Sequence, residues 1–335
     1  MTKRLIELPP GVAVVATDLH GMWEPYRRIR DTFLSMRERG DAQTLVLCGD
    51  LIHAERPDEP DNSLDMLLDV MRLRDELGPQ AVVMLLGNHE LPHIYSISLA
   101  RGDTVFTPAF EAMLAELGDR RQEVIQFLAD LPLYACTAAG VLLTHAGAAQ
   151  AVALPAALAQ LLEIDHLALL EVVEEQLQEF GLDEARASYE RIMGSSYERE
   201  ARELLAVSGP DDPRYYDLLR GTLATSNNHL FDLLWAALFS RNEQENGQKM
   251  YEAVVDRFLK SVSDLAPYPQ RVLVSGHMVT RGGYMLVGEK QLRLSSYAHA
   301  RPREAGLYLL LDTERPVRVA ADLIPGLRPV FPQHR

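Results

Sequence analysis

This sequence predicts an α/β domain interrupted by a block of helices, on three observations. Short apolar runs alternate with helical periodicity in the first half of the 335-residue chain. Strand signal nearly vanishes between residues 148 and 263. It returns with glycine-containing turns from residue 271 onward. Residues 12–17 form an unbroken apolar run of strand length, apolar on both faces as a covered parallel strand must be. Residues 26–39 space Ile29, Phe33 and Met36 three and four apart, which is one face of a helix. Residues 44–48 read as a second strand, and residues 64–77 as a second helix stopped by Gly78-Pro79. Residues 81–86 give a third strand, so the order β-α-β-α-β implies a parallel sheet with helices over it. Residues 133–138 and 141–144 read as further strands around Ala139-Gly140. Residues 271–275, 283–287, 291–295 and 306–311 do the same near the end.

Composition narrows the function. The chain is 47% hydrophobic and 24% charged with 21 Gly and 19 Pro, which excludes a disordered chain, a collagen and a coiled-coil rod. A count of 33 basic against 48 acidic residues leaves a net charge of −15, so neither nucleic acid nor an anionic membrane is expected as a partner. Residues 151–210 hold 12 acidic and 4 basic residues, over half of that net charge. They read as amphipathic helices with a solvated acidic face, or as an acidic docking surface. Cys48 and Cys136 sit in apolar runs without a CxxC neighbour and are expected as buried thiols in a reducing, cytoplasmic setting. No apolar run approaches the length of a membrane span.

Five short motifs each follow a predicted strand: Asp18-Leu19-His20-Gly21, Gly49-Asp50, Gly87-Asn88-His89-Glu90, His145-Ala146-Gly147 and Gly276-His277. Ligand sites in α/β sheets lie beyond the carboxyl ends of strands, so the five can converge. Carboxylate, amide oxygen and imidazole, without thiolate, are donors for a hard or borderline divalent cation. Asp18 and His20, two apart on extended chain, point the same way.

In order and spacing these motifs resemble the calcineurin-like metallophosphoesterases, and within them the phosphoprotein phosphatase family. That family's pattern runs D-x-H, G-D-x-x-D-R-G, G-N-H-E, H-G-G and a late G-H or A-H. Asp232-Leu233-Leu234-Trp235 is similar to its D-L-L-W segment, and Gly276-His277-Met278-Val279 through Lys290-Gln291-Leu292 to its H-x-V…K-Q-L stretch. The resemblance spans residues 12–147 and 228–313. It implies a central β-sandwich of mixed sheets flanked by helices; the helical period over residues 148–263 reads as a cap inserted in it, within one domain over 1–335. It also implies two divalent metal ions bridged by Asp50, Mn2+ first with Fe or Zn2+ as alternatives. Asp18 and His20 complete one site; Asn88, His145 and His277 complete the other. A bridging hydroxide would hydrolyse a phosphomonoester, with His89 as proton donor to the leaving alkoxide.

The departures bear on the substrate. His53-Ala54 stands where the family carries Asp-Arg, which removes a guanidinium fork for phosphate. Arg56 and Arg241 are the candidate replacements, and His53 a candidate partner for His89. The loop S-A-P-N-Y reads Ser295-Ser296-Tyr297-Ala298-His299, with His299 and Arg281 as candidates at the pocket mouth. His166 is expected as an exposed or capping residue, and Trp235 as core with Leu230, Leu234 and Leu238. The expected substrate is a phosphorylated protein or a small phosphorylated metabolite. A dinucleoside polyphosphate hydrolase and a non-catalytic phosphate-binding module are the remaining alternatives.

Overall fold

The computed structural model describes residues 4–56, 58–241 and 243–332. The chain divides into two compact units. One comprises the residues up to Asn88, Leu131–Ile164 and the residues from Leu233 onward; the other comprises His89–Asp130 and Asp165–Asp232.

The first unit is a β-sandwich. Among the described residues one sheet runs Leu327–Pro329, Leu307–Asp312, Val12–Ala16, Thr44–Leu47, Val82–Met84. Its last three strands are parallel, as the β-α-β-α-β order requires. The other sheet runs Leu5–Glu7, Tyr134–Cys136, Val141–Thr144, Val272–Ser275, Gln291–Leu294, Tyr284–Val287, with parallel and antiparallel pairs mixed. Val15, Val46 and Val83 from the first sheet and Leu143, Val274 and Leu292 from the second close one hydrophobic core. Helix Trp23–Glu38 buries Tyr26, Ile29 and Phe33, and helix Ser63–Leu77 buries Met66, Leu67, Val70 and Leu73. Both are i, i+3/i+4 stripes that cover the parallel strands. The second helix ends at Gly78, whose φ of 97° suits glycine, and Pro79 prevents its continuation.

The helical block expected over 148–263 is divided between the units. Residues 148–164 and 233–263 pack into the sandwich unit because helix Gln248–Ser263 is tied there. Its Tyr251 hydroxyl donates to Gln291 Oε1 (2.7 Å) and accepts from Ala148 N (3.1 Å), and Ser261 Oγ donates to the Ala153 carbonyl (2.9 Å). Trp235 departs from the expected core position: it is 40% exposed and stacks on Phe239 at 3.7 Å, one helical turn on. Cys48 and Cys136 are both buried free thiols, as expected. Among the described residues no helix is long and apolar enough to cross a membrane.

The second unit is helical apart from a hairpin, Ala100–Arg101 with Thr104–Val105. His166 corrects its expected surface position. It is fully buried, and its Nδ1 meets the Tyr95 hydroxyl at 2.8 Å, because Tyr95 and Phe231 enclose the start of helix His166–Phe180. Gly221 lies against the Tyr95 carbonyl, where any side chain would collide. Glu111 is buried between His93 Nδ1 (2.7 Å) and Arg121 Nη2 (3.0 Å). Burial opposes its charge, but the hydrogen bond from His93 and the charge of Arg121 hold its carboxyl below the usual 4.5. Glu111→Ala is expected to cost about 3–5 kcal/mol, read by chemical denaturation, since it strands Arg121. Because the folded carboxyl titrates below the unfolded one, this contribution is present above pH 4.5 and fades as acidification passes the lowered folded value.

Candidate metal centre

Every expected metal ligand leaves the carboxyl end of a strand in the sandwich unit. Asp18 and His20 follow Val12–Ala16, Asp50 follows Thr44–Leu47, and Asn88 follows Val82–Met84. His145 follows Val141–Thr144 and His277 follows Val272–Ser275 in the other sheet. Backbone bonds fix the loops to one another. Leu19 N and His20 N both donate to the Asp50 carbonyl (3.0 Å each), and Gly276 N donates to the His145 carbonyl (2.8 Å). Asp18, His20, Asp50, His53 and His277 all take left-handed backbone, with φ between 46° and 68°. Non-glycine residues in that region cost energy and persist where the fold overdetermines them.

Within the sandwich unit the side chains converge in two groups. Asp50, His145 and His277 offer donor atoms within 4.8 Å of one another, and so do Asp18, His20 and His299. Asn88 Oδ1 lies 2.8 Å from His145 Nε2 and 2.9 Å from His277 Nδ1. Asp50 Oδ2 lies 3.5 Å from His145 Nε2 and 3.6 Å from His20 Nε2, at the corner between the groups. The tautomers follow from the backbone. His145 Nδ1 donates to the Cys48 carbonyl (3.0 Å) and His20 Nδ1 to the His53 carbonyl (3.1 Å). A carbonyl only accepts, so a neutral ring held this way turns its Nε2 lone pair into the cluster.

Electrostatics agree with a cation site. Burial lowers His20 to about 4, with His299 adding repulsion, so His20 is neutral at neutral pH. Burial, then His145, puts His277 well below its usual range. Burial works against the Asp18 carboxylate, yet His299 beside it holds the group well below the carboxylate range. The His145 Nε2 lone pair, the His277 Nδ1, the Asn88 amide oxygen and the Asp50 carboxylate thus gather at one place, a donor set that suits a cation. The donors are nitrogen and oxygen throughout; the Cys48 thiol is pushed up by burial and faces the core. This set fits a divalent transition metal.

The sequence model of calcineurin-like phosphoesterases matches residues 12–188, more than half of the chain. The chain belongs to the calcineurin-like phosphoesterase family. Its fold is similar to that of a protein serine/threonine phosphatase from Saccharomyces cerevisiae: 15% identity over 93% of this chain and 77% of the other, with a TM-score of 0.50. A metallophosphoesterase from Sphaerobacter thermophilus matches over 43% of this chain and 54% of its own, at 16% identity and a TM-score of 0.25. No curated protein matches the sequence significantly.

The arginines expected at the site of this phosphoesterase are not members of these donor groups. Arg56 is 61% exposed with its guanidinium 3.8 Å from Glu59. Arg241 is exposed, and its backbone N–H donates to Glu245 Oε1 (2.9 Å). Arg281 is exposed as well. His89 follows Asn88 directly, belongs to the second unit, and sets its ring edge-on to Phe106 at 4.9 Å. His53 contributes its carbonyl to His20. Glu55 was not anticipated: it sits 3.4 Å from His299 Nε2, and its carboxylate also meets Arg303. An acidic residue in place of a motif glycine was the available signal.

Gly49 is required at its position, with φ 81°. A Cβ there would stand 2.6 Å from Gly87 Cα and 2.8 Å from His145 Nδ1. Gly49→Ala is expected to cost about 1–3 kcal/mol in thermal unfolding. By displacing the His145 ring it is expected to weaken metal binding about tenfold or more in a metal titration.

Proposed function

We propose that this protein is a dinuclear-metal phosphatase that hydrolyses phosphomonoesters. The observation that carries the reading is Asp50, one oxygen of which stands between His20 and His145, the members of two donor groups. Asp18, His20 and Asp50 would hold one cation; Asp50, Asn88, His145 and His277 would hold the other. When bound, such a pair neutralises phosphate oxygens and lowers the pKa of water, so no serine or cysteine nucleophile is needed. Mn2+ is the first candidate metal, with Fe or Zn2+ next. His89 would donate a proton to the departing alkoxide. Arg56 and Arg241 are the proposed phosphate contacts in place of the guanidinium that Ala54 lacks.

The favoured substrate is a phosphoserine or phosphothreonine protein. Ala54 in the position of the family's arginine favours a second reading, a small phosphorylated metabolite. Two buried free thiols suit a cytoplasmic setting. A phosphoserine peptide tested beside a panel of small phosphate esters in Mn2+ decides between the substrates. Turnover of the peptide is expected; hydrolysis of small esters alone would put the metabolite reading first.

A further inference from the structure

Two departures from the phosphoprotein phosphatase pattern, far apart in sequence, meet in the sandwich unit. Glu55 stands where G-D-x-x-D-R-G carries its last glycine, and His299 where S-A-P-N-Y carries its tyrosine. Both side chains are buried, and His299 Nε2 lies 3.4 Å from Glu55 Oε1. On the other side of the ring, Nδ1 lies 3.0 Å from Asp18 Oδ1. The alignment is not that of a hydrogen bond, and Nδ1 has no hydrogen-bond partner among the described residues. The ring also faces His20, with centroids 5.0 Å apart.

We infer that His299 is a ligand, through Nδ1, of the cation held by Asp18 and His20, with Glu55 receiving its Nε2–H. This rests on the reading of a metal pair. A ligating imidazole needs one lone pair aimed at the cation and its other N–H engaged, most often by a carboxylate that fixes the ring. Glu55 is itself anchored: Arg303 Nη2 donates to its Oε2 at 2.9 Å, while Arg303 Nη1 holds Glu59. The Arg303 guanidinium lies over Tyr297, 5.4 Å from the ring centroid. The backbone sets the loop against the site, since Ala298 N donates to the Asp18 carbonyl (3.1 Å) and Thr280 N to the His299 carbonyl (2.9 Å). A purely structural ion pair would line Nδ1–H up on the Asp18 oxygen. Here the donor atoms of Asp18, His20 and His299 lie within 4.8 Å of one another. A second imidazole at this site shifts its preference away from Mg2+ and toward Zn2+, Fe and Co2+.

The test is a Co2+ titration of the chelator-stripped full chain, read by visible absorption and equilibrium dialysis. The wild type is expected to bind two cations. His299→Ala is expected to keep one at unchanged affinity and to bind the other at least about 100-fold more weakly. Glu55→Gln is expected to weaken that same cation about 10–100-fold while leaving it bound. The retained cation and an unchanged circular dichroism spectrum report an intact fold in both variants. Two cations bound with wild-type affinity and spectrum in both variants would overturn the role of His299 and leave the metal pair standing. A wild-type chain that binds no more than one cation would overturn the pair itself, and this assignment with it.

Discussion

Asp50→Asn is expected to remove metal and turnover together. Asp50 Oδ2 lies close to both a nitrogen of His20 (3.6 Å) and a nitrogen of His145 (3.5 Å). Asparagine keeps the shape and tolerates the left-handed backbone at this position, where φ is 51°. The Asp50 backbone carbonyl, which accepts from Leu19 N and His20 N, is untouched. The change is therefore one of charge and donor strength at the centre of the site. Hydrolysis of an aryl phosphate is expected to fall about 1000-fold or more, roughly 4 kcal/mol of transition-state stabilisation. Metal content, measured by elemental analysis of the purified variant, is expected to fall well below the wild-type value. A variant with wild-type metal content and rate would remove Asp50 from the centre of the account.

His89→Asn separates the two properties. His89 is not a proposed ligand, so metal content is expected to remain, while kcat on an alkyl phosphate falls about 10²–10⁴-fold. The loss depends on the leaving group. An alkoxide needs a proton as it departs, whereas para-nitrophenolate leaves readily without one. The defect is therefore expected to be much smaller on para-nitrophenyl phosphate than on a phosphoserine ester. Equal losses on both esters would point to a role in binding or positioning, and no loss on either would remove His89 from the reaction.

The parts of this site that the sequence made legible share a physical cause. Asp18, His20, Asp50, Asn88, His145 and His277 each follow a short apolar run, and their spacing from it puts them at the carboxyl end of a strand. Chain order and donor chemistry were then enough to mark the five motifs, and the resemblance to the phosphoprotein phosphatases singled out the ligands within them. His299 and Glu55 were harder to place, because they lie in loops without periodicity. Their meeting depends on the Ala298–Asp18 backbone bond, 280 residues apart in sequence, and on Arg303. The strands at the sheet margins, Leu5–Glu7 and Leu327–Pro329, carry too few residues to show a pattern. The boundaries of the two units were invisible for a related reason. Residues 89–130 join 165–232 through side chains such as Tyr95 and His166, which a contiguous reading of helical periodicity does not pair. His166 itself looked like a surface residue, for its helix is largely acidic and its partner is 71 residues away.

The proposed phosphomonoesterase works only with its metals, and the deciding measurement is its rate on para-nitrophenyl phosphate in Mn2+, after chelation and dialysis, and after Mn2+ is returned, with a diester measured alongside. Hydrolysis of the monoester in Mn2+, loss to background on chelation, recovery on readdition, and little turnover of the diester are expected. Undiminished hydrolysis in the stripped protein, or no hydrolysis by a chain shown to hold two Mn2+ ions, would contradict the proposal.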